Sequence, residues 1–289
     1  IRVAESSVTA TPLFPAGSTP STRDFHTAIY DPIRDRMIVF GGNNGSFNNE
    51  VWARSLSRIP EWTRILPAGA QPTARFSHTA IYDPIGDRML VLGGYGGSYM
   101  NDLWSLSLGG TPAWTLLTPL GTPPIPRASH SFVYDATRGR AVVFGGAGNA
   151  GAYEDSWELN LSGGPLAWTQ LAPANPGPID RYAHLALFDP NSDRMVVAWG
   201  WNIGVGPWSS VYRLQWYYEP TATTLSLVSA DARDGEVALR WQVHAEPGTA
   251  VRIDRNAGES EWLMREHTFV DGSQEVRYVD REVAAGDLL

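Results

Sequence analysis

One phrase stands in the chain three times: "RMIVFGGNNGSFNNEVW" from Arg36, "RMLVLGGYGGSYMNDLW" from Arg88 and "RAVVFGGAGNAGAYEDSW" from Arg140. Other markers keep the same step. An Arg-x-x-His element ends at His26, His78, His130 and His184, and a second tryptophan recurs at Trp62, Trp114 and Trp168. His26, His78 and His130 are each 52 residues apart, and His184 follows 54 later. A fixed period of this size means that one supersecondary unit is copied, and the unit decides the architecture before any local assignment does.

Each unit reads as four short strands. "HTAIYD" alternates and ends at a turn-forming Asp31-Pro32, repeated at Asp83-Pro84 and Asp189-Pro190. "RMIVFGG" is an apolar run of β-formers halted by glycines, as suits a strand buried on both faces. "EVWARSL" and "EWTRIL" supply the third and fourth strands. Sustained 3.6-residue periodicity is absent. A lone four-stranded sheet cannot bury both faces, so the sheets must lean on one another, and radial stacking makes a β-propeller. The expected fold is all-β.

Four hydrophobics, a glycine pair, an aromatic about ten residues on and another tryptophan beyond it resemble the kelch repeat, whose period of about 50 this step fits. The resemblance implies a kelch propeller over residues 1–218, with repeats near 23–74, 75–126, 127–180 and 181–218. The fourth unit stops after its third strand. Residues 8–14, in "TATPLFPAGSTPSTR", align with the fourth strand of unit one and are expected to form an outer strand that closes the last blade. Beyond Glu219-Pro220 the repeat ends. Three alternating strands with turns at Asp234-Gly235 and Pro247-Gly248, and Trp241 within the second, resemble a fibronectin type III or immunoglobulin-like sandwich over 219–289, cut short before its last strands.

Composition removes several functions. There is no cysteine, hence no disulfide, thiolate metal site or cysteine nucleophile. All 22 basic residues are arginine, against 30 acidic ones, and residues 217–289 hold nearly all of the excess. An acidic chain with no basic cluster argues against nucleic acid and anionic membrane surfaces as partners. No apolar run reaches the roughly 20 residues of a membrane span. An extracytoplasmic location is the expectation. No metal or cofactor is implied: the "DPIRDR" group lacks a calcium loop's run of oxygens and reads as a hairpin turn capped by its aspartate.

Candidate sites follow from position in a blade. The Arg-x-x-His histidines, one per blade, cannot converge into a triad and read as hydrogen-bonded struts between neighbouring first strands. Arg75, Arg127 and Arg181 sit where the chain enters those strands and are candidates for the mouth of a central channel. The second-to-third-strand loops share a face with the links between blades. They bring aromatics to matched register at Phe47, Tyr99, Tyr153 and Trp208, with Tyr95 and Trp201 beside them. Such loops on a rigid scaffold suit recognition, although these rings could instead cap their own blades. Trp52, Trp104, Trp157 and the second tryptophans are expected to be core or blade-interface residues. In unit four Trp199 replaces the first glycine of the pair; such glycines serve close backbone approach or positive φ, so a tryptophan there is expected to sit differently.

The sequence therefore points to a non-catalytic recognition or scaffold module binding a protein or a glycan. Among enzymes, the kelch resemblance allows a sugar isomerase or mutarotase using Glu154 or Asp155 with Arg127 or Arg181. A copper oxidase of the galactose-oxidase kind is excluded by the missing cysteine. A purely structural surface segment is the remaining reading.

Overall fold

A computed structural model describes residues 18–56, 61–162, 164–172 and 178–215, together with the backbones of five strands between 224 and 280. The chain divides into two compact units, Ile1–Gln215 and Trp216–Leu289.

The first unit holds four blades of a β-propeller. Blade 1 is β1 (Thr27–Asp31), β2 (Arg36–Phe40), β3 (Val51–Ser55) and β4 (Trp62–Ile65), antiparallel throughout and in that spatial order. Blade 2 repeats it with β5 (Thr79–Asp83), β6 (Arg88–Tyr95), β7 (Tyr99–Ser107) and β8 (Trp114–Leu117). Blade 3 has β9 (Ser131–Asp135) and β10 (Arg140–Phe144), a small hairpin of β11 (Ala147–Gly148) and β12 (Gly151–Ala152), then β13 (Ser156–Asn160) and β14 (Ala167–Leu171). Blade 4 has β15 (Leu185–Asp189) and β16 (Arg194–Ala198), the hairpin β17 (Trp201–Asn202) and β18 (Gly206–Pro207), and β19 (Val211–Gln215). It is three-stranded among the described residues, β19 lying on its outer side. Residues 8–14, expected to close the last blade, lie outside the described residues.

The turn between the first two strands is built as its sequence suggests. Asp31 Oδ1 accepts the Arg34 N–H at 3.2 Å and Oδ2 the Arg36 Nε at 2.8 Å, and the same aspartate cap recurs at Asp83, Asp135 and Asp189. The turn also joins neighbours. Arg34 of blade 1 reaches Asp87 of blade 2 at 2.6 Å, and Arg138 of blade 3 reaches Asp193 of blade 4 at 2.6 Å. At the middle junction the corresponding residues are Gly86 and Gly139, so both halves of the clamp are missing together.

Between the blades lies the core. Ile29, Phe40 and Val51 of blade 1 pack with Met89, Val91, Trp104 and Trp114 of blade 2. Ile81, Leu90 and Leu92 of blade 2 pack with Phe132, Val143, Trp157 and Trp168 of blade 3. Burying a tryptophan there contributes several kcal/mol, and truncation costs about 3–5 kcal/mol. Innermost strands adjoin in series, β1 with β5, β5 with β9 and β9 with β15. No comparable packing returns from β15 to β1 among the described residues. Leu187 of blade 4 is 47 % exposed, where its counterparts Ile29 and Ile81 are each 7 %.

The glycine pair has two separable jobs. A Cβ on the first glycine would strike the next blade, at 2.8 Å from the Arg127 carbonyl oxygen for Gly93 and 2.7 Å from that of Arg181 for Gly145. A Cβ on the second would strike the histidine of its own blade, at 2.7 Å from the His130 Cβ for Gly146 and 2.9 Å from the His184 Cβ for Gly200. Blade 4 keeps the second as Gly200 and replaces the first by Trp199. The φ of Trp199, 60°, matches the 60° of Gly93 and 62° of Gly145, so the backbone is kept. What differs is the room beyond it, and the indole projects into solvent, 55 % exposed.

The second unit has a three-stranded antiparallel sheet of β20 (Thr224–Arg233), β21 (Glu236–His244) and β24 (Glu275–Asp280), with β21 central. A separate antiparallel pair is formed by β22 (Ala250–Arg255) and β23 (Leu263–Phe269). The three strands read from its opening half are present, and their turns fall outside the described residues. No helix of the described residues is long and apolar enough to cross a membrane.

Candidate functional site

Four arginines stand at the end of the propeller where the loops gather, and all four are buried. Arg75 is wholly inaccessible. It donates to both carboxylate oxygens of Asp102 at 2.7 Å each, to the Gly93 carbonyl at 2.9 Å and, through Nε, to the Thr73 carbonyl at 3.0 Å. Arg127 repeats this set with Asp155, Gly145 and Ile125. The carboxylate also accepts the indole N–H of the tryptophan two residues on, Trp104 or Trp157, at 2.6 Å. Blade 1 carries the variant Arg23–Glu50 at 2.7 Å. Burial pushes the Asp155 carboxyl up, but the paired Arg127 outweighs it and holds the pKa below the ordinary carboxylate value.

Arg75, Arg127 and Arg181 therefore do not face a channel mouth, and the expectation that they contact a ligand is corrected by their burial. Each guanidinium ties the incoming chain to the loop of its own blade. The isomerase arrangement fares likewise, since Arg127 and Asp155 are engaged with each other; Glu154, its remaining carboxylate, is exposed.

Two of the histidines are struts, and His26 is exposed. His78 Nε2 shares a hydrogen bond with Thr27 Oγ1 of the preceding blade at 2.8 Å, and His130 Nε2 with Thr79 Oγ1 at 2.6 Å. Burial, aided by the charge of Arg75, pushes the pKa of His78 down to about 3. Burial and Arg127 depress that of His130, and burial and Arg181 bring that of His184 down to about 4. All three rings are neutral at pH 7.

Among the aromatics the structure divides the set. Tyr153 lies half-buried under the Arg127 guanidinium, 4.7 Å from ring centroid to Cζ, and caps its own blade. Trp208 is half-buried, and Trp201 is half-exposed on the blade 4 hairpin. Phe47, Tyr95 and Tyr99 belong instead to a continuous patch with two rings that the sequence reading passed over, Phe25 and Phe76. Phe47 sits 5.3 Å from Phe76 and 6.0 Å from Tyr95; Phe76 is 5.8 Å from Phe25, and Tyr95 is 5.2 Å from Tyr99. The patch bridges blades 1 and 2, and its outermost rings are Phe25 at 60 % and Phe47 at 41 % exposure.

Phe25 and Phe76 occupy the two x positions of the Arg-x-x-His element. The second x residue has a left-handed backbone in every blade, with φ of 50° at Phe25, 51° at Ser77, 53° at Ser129 and 52° at Ala183. These residues bond in a chain along the inner rim, Ser77 N–H to the Phe25 carbonyl, Ser129 to Ser77 and Ala183 to Ser129. Small residues fill the position in blades 2 to 4. A bulky phenylalanine there bears a strain of about 1 kcal/mol and still points outward. An aromatic at a repeat position otherwise held by Ser, Ser and Ala was the available sequence signal.

Beside blade 3 an open depression is lined by Ala152, Tyr153, Glu154, Asp155 and Asp180. Among the described residues no cluster of His, Asp and Glu is arranged to hold a metal ion.

Residues 4–197 match the KLHDC2/KLHL20/DRC7 Kelch-repeats domain. The chain is 33 % identical over 204 residues to host cell factor homolog hcf-1 of Caenorhabditis elegans, which covers 64 % of this chain and 25 % of that protein. It is 28 % identical over 189 residues to host cell factor 2 of Homo sapiens, covering 57 % and 23 %. The chain thus spans about a quarter of the length of these relatives. The solved structure of YjhT shares the fold, with a TM-score of 0.53 at 13 % identity over 91 % of this chain and 86 % of that one.

Proposed function

This chain belongs to the kelch-repeat propellers, and on that premise we propose that its blades form a non-catalytic recognition module that binds a protein through the loop face. The observation behind the proposal is a contrast within that face. The arginines and the glycine pairs recur from blade to blade and are buried, as are His78 and His130, which is architecture. The aromatic patch of Phe25, Phe47, Phe76, Tyr95 and Tyr99 lies on blades 1 and 2, departs from the repeat at Phe25 and Phe76, and leaves two phenylalanines in water. Rings held on a rigid frame offer large contact area at low entropic cost, as recognition surfaces require.

The second unit is proposed to act as a spacer or attachment of fibronectin type III or immunoglobulin-like kind. Its separation into a three-stranded sheet and a strand pair supports that reading. The test runs a random peptide library and a glycan array in parallel on the purified chain. Peptides retained by the wild type and lost by Phe47→Ser, with unchanged thermal unfolding, are the expected result. Glycans retained without any Phe47-dependent peptide would overturn the proposal.

A further inference from the structure

The charges around the aromatic patch define what it accepts. Every arginine at the loop face is withdrawn from solvent: the Arg23 side chain is 3 % exposed, Arg75 0 %, Arg127 1 % and Arg181 0 %. Arg64, on the outer flank of blade 1, is tied to Glu50 at 3.1 Å. The chain has no lysine. The carboxylates are not so withdrawn. Asp24, next to Phe25, is exposed and has no cationic partner among the described residues; its backbone pairs with Asn43, which in turn pairs with Phe47. Glu154 is exposed and Asp180 half-exposed, both without a cationic partner among the described residues, beside the depression of blade 3. Glu50, Asp102 and Asp155 add carboxylate edges that are 25 %, 30 % and 21 % exposed beyond their arginines.

A partner therefore meets exposed π faces set among unpaired anions, with the compensating cations sealed beneath. Phenyl and phenol faces attract cations through the ring quadrupole, and free carboxylates do so directly. An acidic segment or a nucleic acid would meet repulsion from Asp24 and Glu154, and the one guanidinium near the patch that is exposed among the described residues, that of Arg64 at 52 %, is already engaged with Glu50.

We propose that the loop face binds a basic, partly apolar segment of another protein, its aliphatic or aromatic side chains on Phe25 and Phe47 and its Arg or Lys side chains toward Asp24 and toward Glu154 and Asp180. This rests on the recognition role proposed above and names the partner's chemistry. Asp24 stands beside the patch on blade 1, and Glu154 and Asp180 line the depression beside blade 3, so a segment that meets both carboxylate groups must be extended.

The test is selection of random twelve-residue peptides by display on the full chain, followed by anisotropy titration of a selected peptide. Enriched sequences should pair Arg or Lys with aliphatic or aromatic residues. Replacing the peptide's basic residues by glutamine should weaken binding about tenfold, and raising salt from 50 to 500 mM should weaken it as well. The double variant Asp24→Asn, Glu154→Gln should weaken binding several-fold with thermal unfolding unchanged. Enrichment of neutral or acidic peptides that still depend on Phe47 would overturn the basic-partner inference and leave the recognition role standing. Peptides bound equally well by Phe25→Ser and Phe47→Ser would overturn both.

Discussion

Blades 3 and 4 are written in one register and differ in what stands beyond them. Blade 3 has blade 4 against its outer side, and there Gly145 is a glycine, because the Arg181 carbonyl occupies the space a Cβ would need. Blade 4 has no such neighbour among the described residues, and the same backbone conformation carries Trp199. Asp155, which neutralises buried Arg127, becomes Ser210 in blade 4, only 3.4 Å from the Arg181 guanidinium nitrogens. The strut weakens too: His184 finds no partner for either ring nitrogen, whereas His130 bonds to Thr79. A repeat position is thus constrained by the contacts made there and relaxes where those contacts cease.

The largest consequence concerns the struts. Buried neutral His78, His130 and His184 have folded-state pKa values depressed below the unfolded value near 6.5. The unfolded chain takes up protons first, so their stabilisation is complete above about pH 6.5 and is lost as pH falls toward the folded values. Each histidine contributes a slope of about 1.4 kcal/mol per pH unit in that window. Thermal unfolding followed from pH 7 to pH 4 should show a steep fall, shallower in His130→Gln; a flat profile would mean that the rings are not buried.

Next in size is the ion pair of blade 3. Asp155→Ala leaves Arg127 buried without its carboxylate and should cost about 3–5 kcal/mol in urea unfolding. The matching position in blade 4 already lacks a carboxylate, so Ser210→Asp should stabilise, by about 1–2 kcal/mol and a rise of a few degrees in Tm. If Ser210→Asp destabilises, the two blades do not share the geometry described. Smallest is Phe47→Ser, expected to change stability by less than about 1 kcal/mol while removing peptide binding. A large loss of stability would place Phe47 in the core.

Much of this was readable in the chain. Strand positions, the aspartate-capped turns and the burial of Trp104, Trp114, Trp157 and Trp168 follow from the repeat, since each copy answers to the same packing. The arginines were misplaced because the side chain that holds each guanidinium lies 27 to 29 residues away, a carboxylate for Arg23, Arg75 and Arg127 and Ser210 for Arg181. Glu50, Asp102 and Asp155, each two residues before a core tryptophan, were that signal. Phe25 and Phe76 escaped notice because attention to the constant Arg and His passes over the variable residues between them. That Trp199 keeps the glycine backbone was not legible, because the lack of a blade against it among the described residues is a tertiary fact.

The reciprocal pair Gly145→Trp and Trp199→Gly, compared by equilibrium urea unfolding, probes most directly whether each blade position is set by the blade beyond it. Gly145→Trp forces a side chain into the space held by Arg181 and His184 and should cost more than about 3 kcal/mol. Trp199→Gly should leave stability unchanged or raise it by about 1 kcal/mol, as a left-handed residue loses its Cβ. Equal and large losses in both variants would show that Trp199 is packed like an interior residue, and would contradict the account.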